Sequence, residues 1–422
     1  MFKSLGLIIS DFFILKNKFK YPYLLSLLVF LIYFSILSTL IGTFILNMSL
    51  VIFCIIFLIF YVKNKNEIEI ILNFKIFYLL VIFLFINSAF SDHLLYSAKS
   101  SLNLIKNLIF LIGCYLIFKL DEKIFNRFIK LVFLLFIFTS LDTILQYLTG
   151  KDIFGYPQSK LHYGRLSGPF GDELIVGSFL SKITFISILY FLINYKNKYY
   201  DLFFLLFAIL LVLVTKERSA SIMVIFTSVI YIIFRIENFK FKIITLLLTL
   251  LIIGSSLTLV PDTVKRFKFM YGSEKSFFNT QWGAHFLTSY EIFKKNPLIG
   301  SGIRTFRYEC SKDYLKNINS KAVDLRCSTH PHNFYFEILS ETGGIGFLSF
   351  LFFLLIILKK ILSSSHGKFP KEKLYTSLCL LFFFFWPIKT TGSIFASWNS
   401  YFYILALIII FYQIDFIKLK KK

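Results

Sequence analysis

Residues 330–333 read His-Pro-His-Asn and lead into an apolar run that carries Gly343 and Gly346. His332 falls one or two residues before that run begins near Phe334, at an expected helix N-terminus. Free N–H groups and the positive end of the helix dipole favour an anion there and disfavour an imidazolium. A neutral imidazole in that place suits a general base near neutral pH. Metal ligation by His330 and His332 is the rival chemistry. No Cys or carboxylate cluster completes such a site, so no metal and no cofactor are expected. Gly343 and Gly346 lie near one face of the same helix and are expected to admit a closely packed neighbouring helix.

The second group of residues is cationic. Arg218 follows Thr215-Lys216-Glu217 and precedes the apolar stretch 219–234, which puts it at a helix end partly within a membrane. Ionisable groups at that depth are functional candidates; an Arg reaching for lipid headgroups is the plainer alternative. Residues 293–302 read FKKNPLIGSG. Asn296-Pro297 stops a helix, and Gly300-Ser301-Gly302 gives a flexible turn that leads to Arg304 and Arg307. Guanidinium forks match phosphate oxygens. The Gly-rich segment 163–173 holds Arg165, Asp172 and Glu173, and reads equally as a helix cap or a substrate-facing loop. Lys182 and Asp142 lie inside apolar runs; they form a structural pair, or Lys182 helps hold an anionic ligand. His285 and Lys389 complete the set on the same face.

These residues need a membrane scaffold. Of the 422 residues only 16% are charged, where soluble chains have roughly 25%, and 57% are hydrophobic. The fold class is therefore an all-α polytopic membrane protein. A span takes about 20 apolar residues. Residues 21–62 give two spans with a reversal marked by Gly42 and Asn47. Further runs lie near 73–90, 99–118, 126–148, 173–193, 200–214, 217–235, 241–260, 334–358, 374–392 and 397–417, for a total of about 12. No cleavable signal peptide is apparent. Four regions follow: residues 1–150 and 151–260 as transmembrane helices, the latter with an outer loop 151–172; residues 261–333 as a large polar loop region before the last three spans; and 334–422 as C-terminal helices.

Charge sets the orientation. The net charge of +23 sits in short clusters between apolar runs, which argues for membrane topology rather than nucleic-acid binding. Every second connection is basic: Lys3, Lys16, Lys18 and Lys20; Lys63 and Lys65; Lys119, Lys123, Arg127 and Lys130; Lys196 and Lys198; Arg235, Lys240 and Lys242; Lys359, Lys360, Lys368, Lys371 and Lys373; and Lys418, Lys420, Lys421 and Lys422. Those connections belong in the cytoplasm, where some attract anionic membrane lipids. The loop 261–333 then faces outward, into the periplasm of a Gram-negative cell. That side is oxidising. Cys310 and Cys327 are candidates for a disulfide closing a loop of about 18 residues, worth roughly 3 kcal/mol, with two free thiols as the alternative. Cys54, Cys114 and Cys379 lie in apolar runs and read as packing residues.

His332-Asn333 followed by Gly343 and Gly346, the segment TKERSA around Arg218, and NPLIGSG at 296–302 together resemble the signature of the O-antigen ligase and polymerase superfamily. The resemblance covers mainly 160–350. It implies a GT-C-like bundle that works without metal or nucleotide at the periplasmic face of a bacterial inner membrane. It also implies transfer of a glycan from undecaprenyl diphosphate to an acceptor hydroxyl. The acceptor is lipid A-core sugar for a ligase, or a second lipid-linked glycan for a polymerase. His332 would activate the hydroxyl, and Arg218 would hold the diphosphate leaving group. Arg165, Glu173, Lys182, Glu217, His285, Arg304, Arg307, His330 and Asn333 are the accompanying substrate-binding candidates. The family usually has a second Arg near a Trp before the NPLIG-type turn. Here residues 279–285 read NTQWGAH, and His285, Arg304 or Arg307 would take its place. A ligase is the first reading, a polymerase the second, and a lipid-linked oligosaccharide flippase or transporter the third, though no internal repeat is visible.

Overall fold

A computed structural model describes residues 21–64, 68–71, 74–162, 164–195, 197, 199–259, 276–364, 370–415 and 418–421. Lys3, Lys16, Lys18, Lys20, Lys65, Lys196, Lys198, Lys368 and Lys422 lie outside them, as do Tyr163 and residues 260–275 of the large polar segment. Twelve helices correspond to the twelve apolar runs: α1 Pro22–Ile41, α2 Thr43–Lys63, α3 Phe74–Ala89, α4 Leu94–Leu120, α5 Glu122–Thr149, α6 Val176–Asn194, α7 Tyr199–Val214, α8 Arg218–Arg235, α9 Phe239–Leu259, α11 Phe334–Ser364, α12 Lys371–Phe385 and α13 Ser397–Gln413. Between α9 and α11 lies an amphipathic helix, α10 Gln281–Lys295. Seven of these helices are long and apolar enough to cross a membrane on their own. A two-stranded antiparallel ribbon, Ile68–Ile71 with Lys418–Lys421, is the only sheet among the described residues. The protein is an all-α polytopic membrane protein.

α13 is the central post. Every residue from Ser400 to Gln413 is buried, as expected of a helix that is apolar on all sides. It packs against α4, α2 and α12. Gly42 makes the reversal between α1 and α2 at φ 146°, a backbone state glycine adopts readily. Asn47, expected in that reversal, is instead inside α2, where its amide donates to Thr43 O.

The basic connections meet at one end of the bundle. Lys119 pairs with Asp415, and Lys360 donates to the Asp415 carbonyl at 3.2 Å. Arg235 joins Asp201 (2.8 Å) and Glu372 (3.3 Å), and Lys371 joins Glu237 at 2.8 Å. The alternation of charge read from the sequence is thus an actual segregation in space.

The expected Lys182–Asp142 pair is absent. Lys182 donates to Ser178 Oγ and Asn399 Oδ1, both at 2.9 Å, and lies over the Trp398 ring at 4.2 Å. Asp142 accepts from Ile153 N at 2.7 Å. Helix α6 turns the lysine toward α13 and away from α5, so each charge finds polar partners of its own.

Candidate active site

The end of the bundle opposite the basic connections gathers the segments that the sequence marks. The organising feature is a break in α11. Gly343 has φ 66° and ψ −170°, which interrupts the helix and frees backbone groups on both sides. The NPLIGSG segment fills the break. Gly344 N donates to Pro297 O at 2.7 Å, and Ile345 N to Leu298 O at 3.1 Å. In return Ser301 N donates to Ser340 O and Gly302 N to Glu341 O, both at 3.0 Å. The approach is so close that a Cβ on Gly343 would lie 2.4 Å from Leu298 O, and one on Gly300 2.4 Å from the Glu341 carbonyl carbon. This corrects two expectations. Gly343 receives a loop backbone rather than a neighbouring helix, and the 300–302 turn is pinned rather than flexible. A Cβ on Gly346 would first meet its own helix's Thr342, with Phe83 at 3.2 Å.

Side chains from the α3–α4 junction lock the same turn. Asn87 Nδ2 donates to Ile299 O (2.7 Å) and Glu341 O (2.8 Å); Ser91 Oγ donates to Ser301 O (2.7 Å); Ser97 Oγ accepts from Ile303 N (3.0 Å). Two buried carboxylates of α11 finish the work. Glu341 accepts from Arg304 N at 2.6 Å and Phe306 N at 3.1 Å. Glu337 accepts from Ser393 Oγ and from Ile394 N at 2.9 Å. Arg304, with φ 63°, is thereby held in a left-handed conformation, and the guanidinium groups of Arg304 and Arg307 lie over the Tyr96 ring at 5.8 and 5.5 Å. Arg307 also donates to Thr329 O at 3.4 Å, beside His330.

Three imidazoles stand together. His332 stacks on His285 at 5.1 Å between ring centroids and meets His330 at 4.3 Å. His332 Nε2 is 3.2 Å from Ser328 Oγ. His330 Nε2 donates to Thr391 O at 3.1 Å, which leaves its Nδ1 to accept from Thr329 Oγ1 at 2.9 Å. His285 is wholly buried beneath His332. Burial, and then the neighbouring His332, push the pKa of His285 and of His330 down to about 4. Burial also lowers that of His332. The cluster is therefore neutral near pH 7. His330 and His332 are both partly exposed, and His332 sits at φ 57°. A non-glycine residue in that region is held there by its surroundings, a state common at functional sites. Lys216 shares it at φ 62°, so TKERSA, GSGIR and HPHN each contain one such residue.

Arg218 begins α8, and its guanidinium lies 5.5 Å from the Trp282 ring centroid. Trp282 is one turn before His285 on α10, so Arg218 is linked through that helix to the imidazole stack. The connection after α12 bridges the same elements: Ser219 Oγ donates to Thr390 O (2.9 Å) and Thr391 N to His332 O (2.8 Å). Lys389 donates to Phe383 and Phe384 carbonyls at the end of α12, a favourable place for a cation.

The remaining candidates are committed to the protein. Glu217 accepts from Gly177 N (2.9 Å) and Ser178 N (3.0 Å), capping α6, and pairs with Arg165 at 3.4 Å. Arg165 also donates to Leu174 O. Asn333 caps α11, accepting from Tyr335 N at 2.9 Å, and its Nδ2 donates to Pro387 O at 2.7 Å. Glu173 is exposed near the start of α6, with no described side-chain contact to the imidazoles. Cys310 and Cys327 form a disulfide, tying the Arg304–Arg307 turn to the His330–His332 loop. Sequence reasoning missed Glu337, Glu341, Tyr96, Asn87, Ser91 and Ser97. Two carboxylates four residues apart in an apolar run were a usable signal; the serines and Tyr96 carried none.

Among the described residues no group of His, Cys, Asp and Glu is arranged to hold a metal ion. Fold and site together define a helical membrane protein with an imidazole stack flanked by guanidiniums at one end. The sequence model of the family described as O-antigen ligase matches residues 202–351, from α7 to the middle of α11. Over that stretch, which contains the TKERSA, NPLIGSG and HPHN motifs, the chain is similar to the O-antigen ligase family. No curated protein matches the chain.

Proposed function

We propose that this protein is a glycosyltransferase of the O-antigen ligase type. It moves a glycan from undecaprenyl diphosphate to an acceptor sugar hydroxyl, lipid A-core by this reading, at the periplasmic face of the bacterial inner membrane. The observation that carries the proposal is His332, a partly exposed imidazole kept neutral by burial and clamped between His285 and His330, with Arg218 on one flank and Arg304 and Arg307 on the other. The acceptor oxygen attacks the donor sugar at C1 while its proton passes to His332. The bond from C1 to the phosphate oxygen breaks, and the diphosphate leaves with the electron pair. Fixed guanidiniums facing the departing charge lower the barrier. No metal or nucleotide enters these steps.

Arg304 and Arg307 take the place of the arginine missing from residues 279–285. His285 serves as the platform under His332, since it is wholly buried. His330, Asn333, Glu217, Arg165 and Lys182 hold backbone and helix ends in place, while Glu173 is free to reach a sugar. A strain lacking the gene separates the two members of the superfamily. Loss of a ligase leaves long glycans on the lipid carrier, whereas loss of a polymerase leaves single repeats on the acceptor. We expect the first profile, and the second would reassign the protein as a polymerase.

A further inference from the structure

The turn that carries Arg304 and Arg307 continues into a row of rings. Tyr308 meets Tyr96 of α4 edge to face at 5.2 Å between centroids, and His93 at 4.6 Å. Tyr96 in turn receives the guanidiniums of Arg304 and Arg307 over its ring at 5.8 and 5.5 Å. Tyr308 is 40% exposed, so the row that starts at the two arginines ends in an open ring.

Charged groups pin this row in place. Lys312 Nζ bridges Asp92 (2.6 Å) and the Glu309 carboxylate (2.7 Å), and His93 Nε2 stands 3.6 Å from the same carboxylate. Glu309 is buried. Burying a carboxylate costs about as much as its partners return, so the network adds little stability. Its effect is positional, since it joins the α3–α4 junction at Asp92 and His93 to the turn at Glu309 and Lys312. The same turn is held by Glu341, which accepts from Phe306 N at 3.1 Å, and by the disulfide at Cys310. A ring fixed on these sides gives up little freedom when a ligand covers it.

A pyranose ring has an apolar C–H face and a belt of hydroxyls. A rigid tyrosine suits the first, and an ammonium, a carboxylate and an imidazole around it suit the second. Tyr308, Lys312, Asp92 and His93 supply that set, two side chains away from the imidazole stack through Arg307, whose guanidinium donates to Thr329 O at 3.4 Å.

We propose that Tyr308, with Tyr96, His93, Asp92 and Lys312 around it, forms a sugar subsite that binds one pyranose residue of a glycan substrate. The proposal rests on the glycan-transfer reading above and adds a place where the glycan is held and selected.

The test uses the full chain in phospholipid nanodiscs and two probes: the oligosaccharides that mild acid releases from the strain's own lipid-linked glycan and from its lipid A-core. Saturation-transfer difference NMR should show sugar C–H contact for one of them with the native protein and with Tyr308→Phe, and loss of that contact with Tyr308→Ala. Tyr290→Ala, an exposed tyrosine on α10 outside the row, should behave as the native protein. The probe that responds identifies the glycan, donor or acceptor. No contact with either probe, or equal contact in Tyr308→Ala, overturns the proposal. In a transfer assay Tyr308→Ala should raise KM for the same substrate about tenfold with kcat little changed, the upper end for one aromatic contact, and Tyr308→Phe should restore it. Unchanged KM for both substrates in well-inserted Tyr308→Ala also overturns it. Sugar contact that depends on Tyr308 in a protein that transfers no glycan leaves this proposal standing and removes the glycosyltransferase reading. Transfer with native KM values in Tyr308→Ala does the reverse.

Discussion

At the scale of single residues, the proposed reaction turns on keeping His332 neutral. Burial lowers its pKa below the ordinary 6.5, and His285 and His330 beside it are lowered to about 4. A general base acts in its neutral form, so the rate is full above the pKa and falls as pH drops through it. Because that pKa is depressed, the acid limb of kcat/KM should lie below the position of an unperturbed imidazole. A limb at or above 6.5 would contradict the assignment of His332 as the base. His332 and Arg218 stood out in the sequence as candidates because an imidazole at a helix mouth and a guanidinium at a span end are costly to place. Glu341 was harder to read. Its carboxylate acts on backbone N–H groups far along the chain, and only the folded turn shows that it sets the conformation of Arg304.

At the scale of elements, the break at Gly343 is the joint on which the site depends. In Gly343→Ala a Cβ would sit 2.4 Å from Leu298 O at φ 66°, so both strain and a clash oppose the fold. We expect a loss of about 3 kcal/mol or more, read as a lower midpoint of thermal unfolding in detergent. A midpoint equal to that of the native protein would show that the loop does not pack into the break. Only the residue type was visible beforehand. Gly343 looked like a helix-packing glycine because sequence spacing cannot tell a neighbouring helix from a returning loop. The disulfide adds a second tie between the arginine turn and the histidine loop. Cys310→Ser should cost about 2–4 kcal/mol in local stability and expose Cys327 to thiol reagents. In the native protein, labelling of either cysteine should need prior reduction.

At the scale of the whole molecule, two patterns agree. The basic connections pair with Asp415, Asp201, Glu237 and Glu372 at one end, and the imidazole stack and arginines lie at the other. Alternating charge and apolar runs were sufficient to place all twelve helices. They could not place α3 and α4, whose Asn87, Ser91 and Ser97 lock the turn from the N-terminal third, since polar residues at a span end carry no address for a loop 200 residues on. After α11 breaks at Gly343, residues 344–364 alone extend about 31 Å, enough for the hydrocarbon core, so His332, Glu337 and Glu341 are not needed to complete the span. The proposed reaction therefore takes place at that end of the bundle, with His332 as the base and the Arg218 guanidinium facing the diphosphate. The most direct measurement is glycan transfer in proteoliposomes by the purified protein, supplied with a lipid-linked glycan donor and acceptor, for the native chain and for His332→Ala and Arg218→Ala. The native protein should transfer, and each well-inserted variant should lose transfer by about a hundredfold or more. Near-native transfer by His332→Ala would contradict the assignment of His332 as the base.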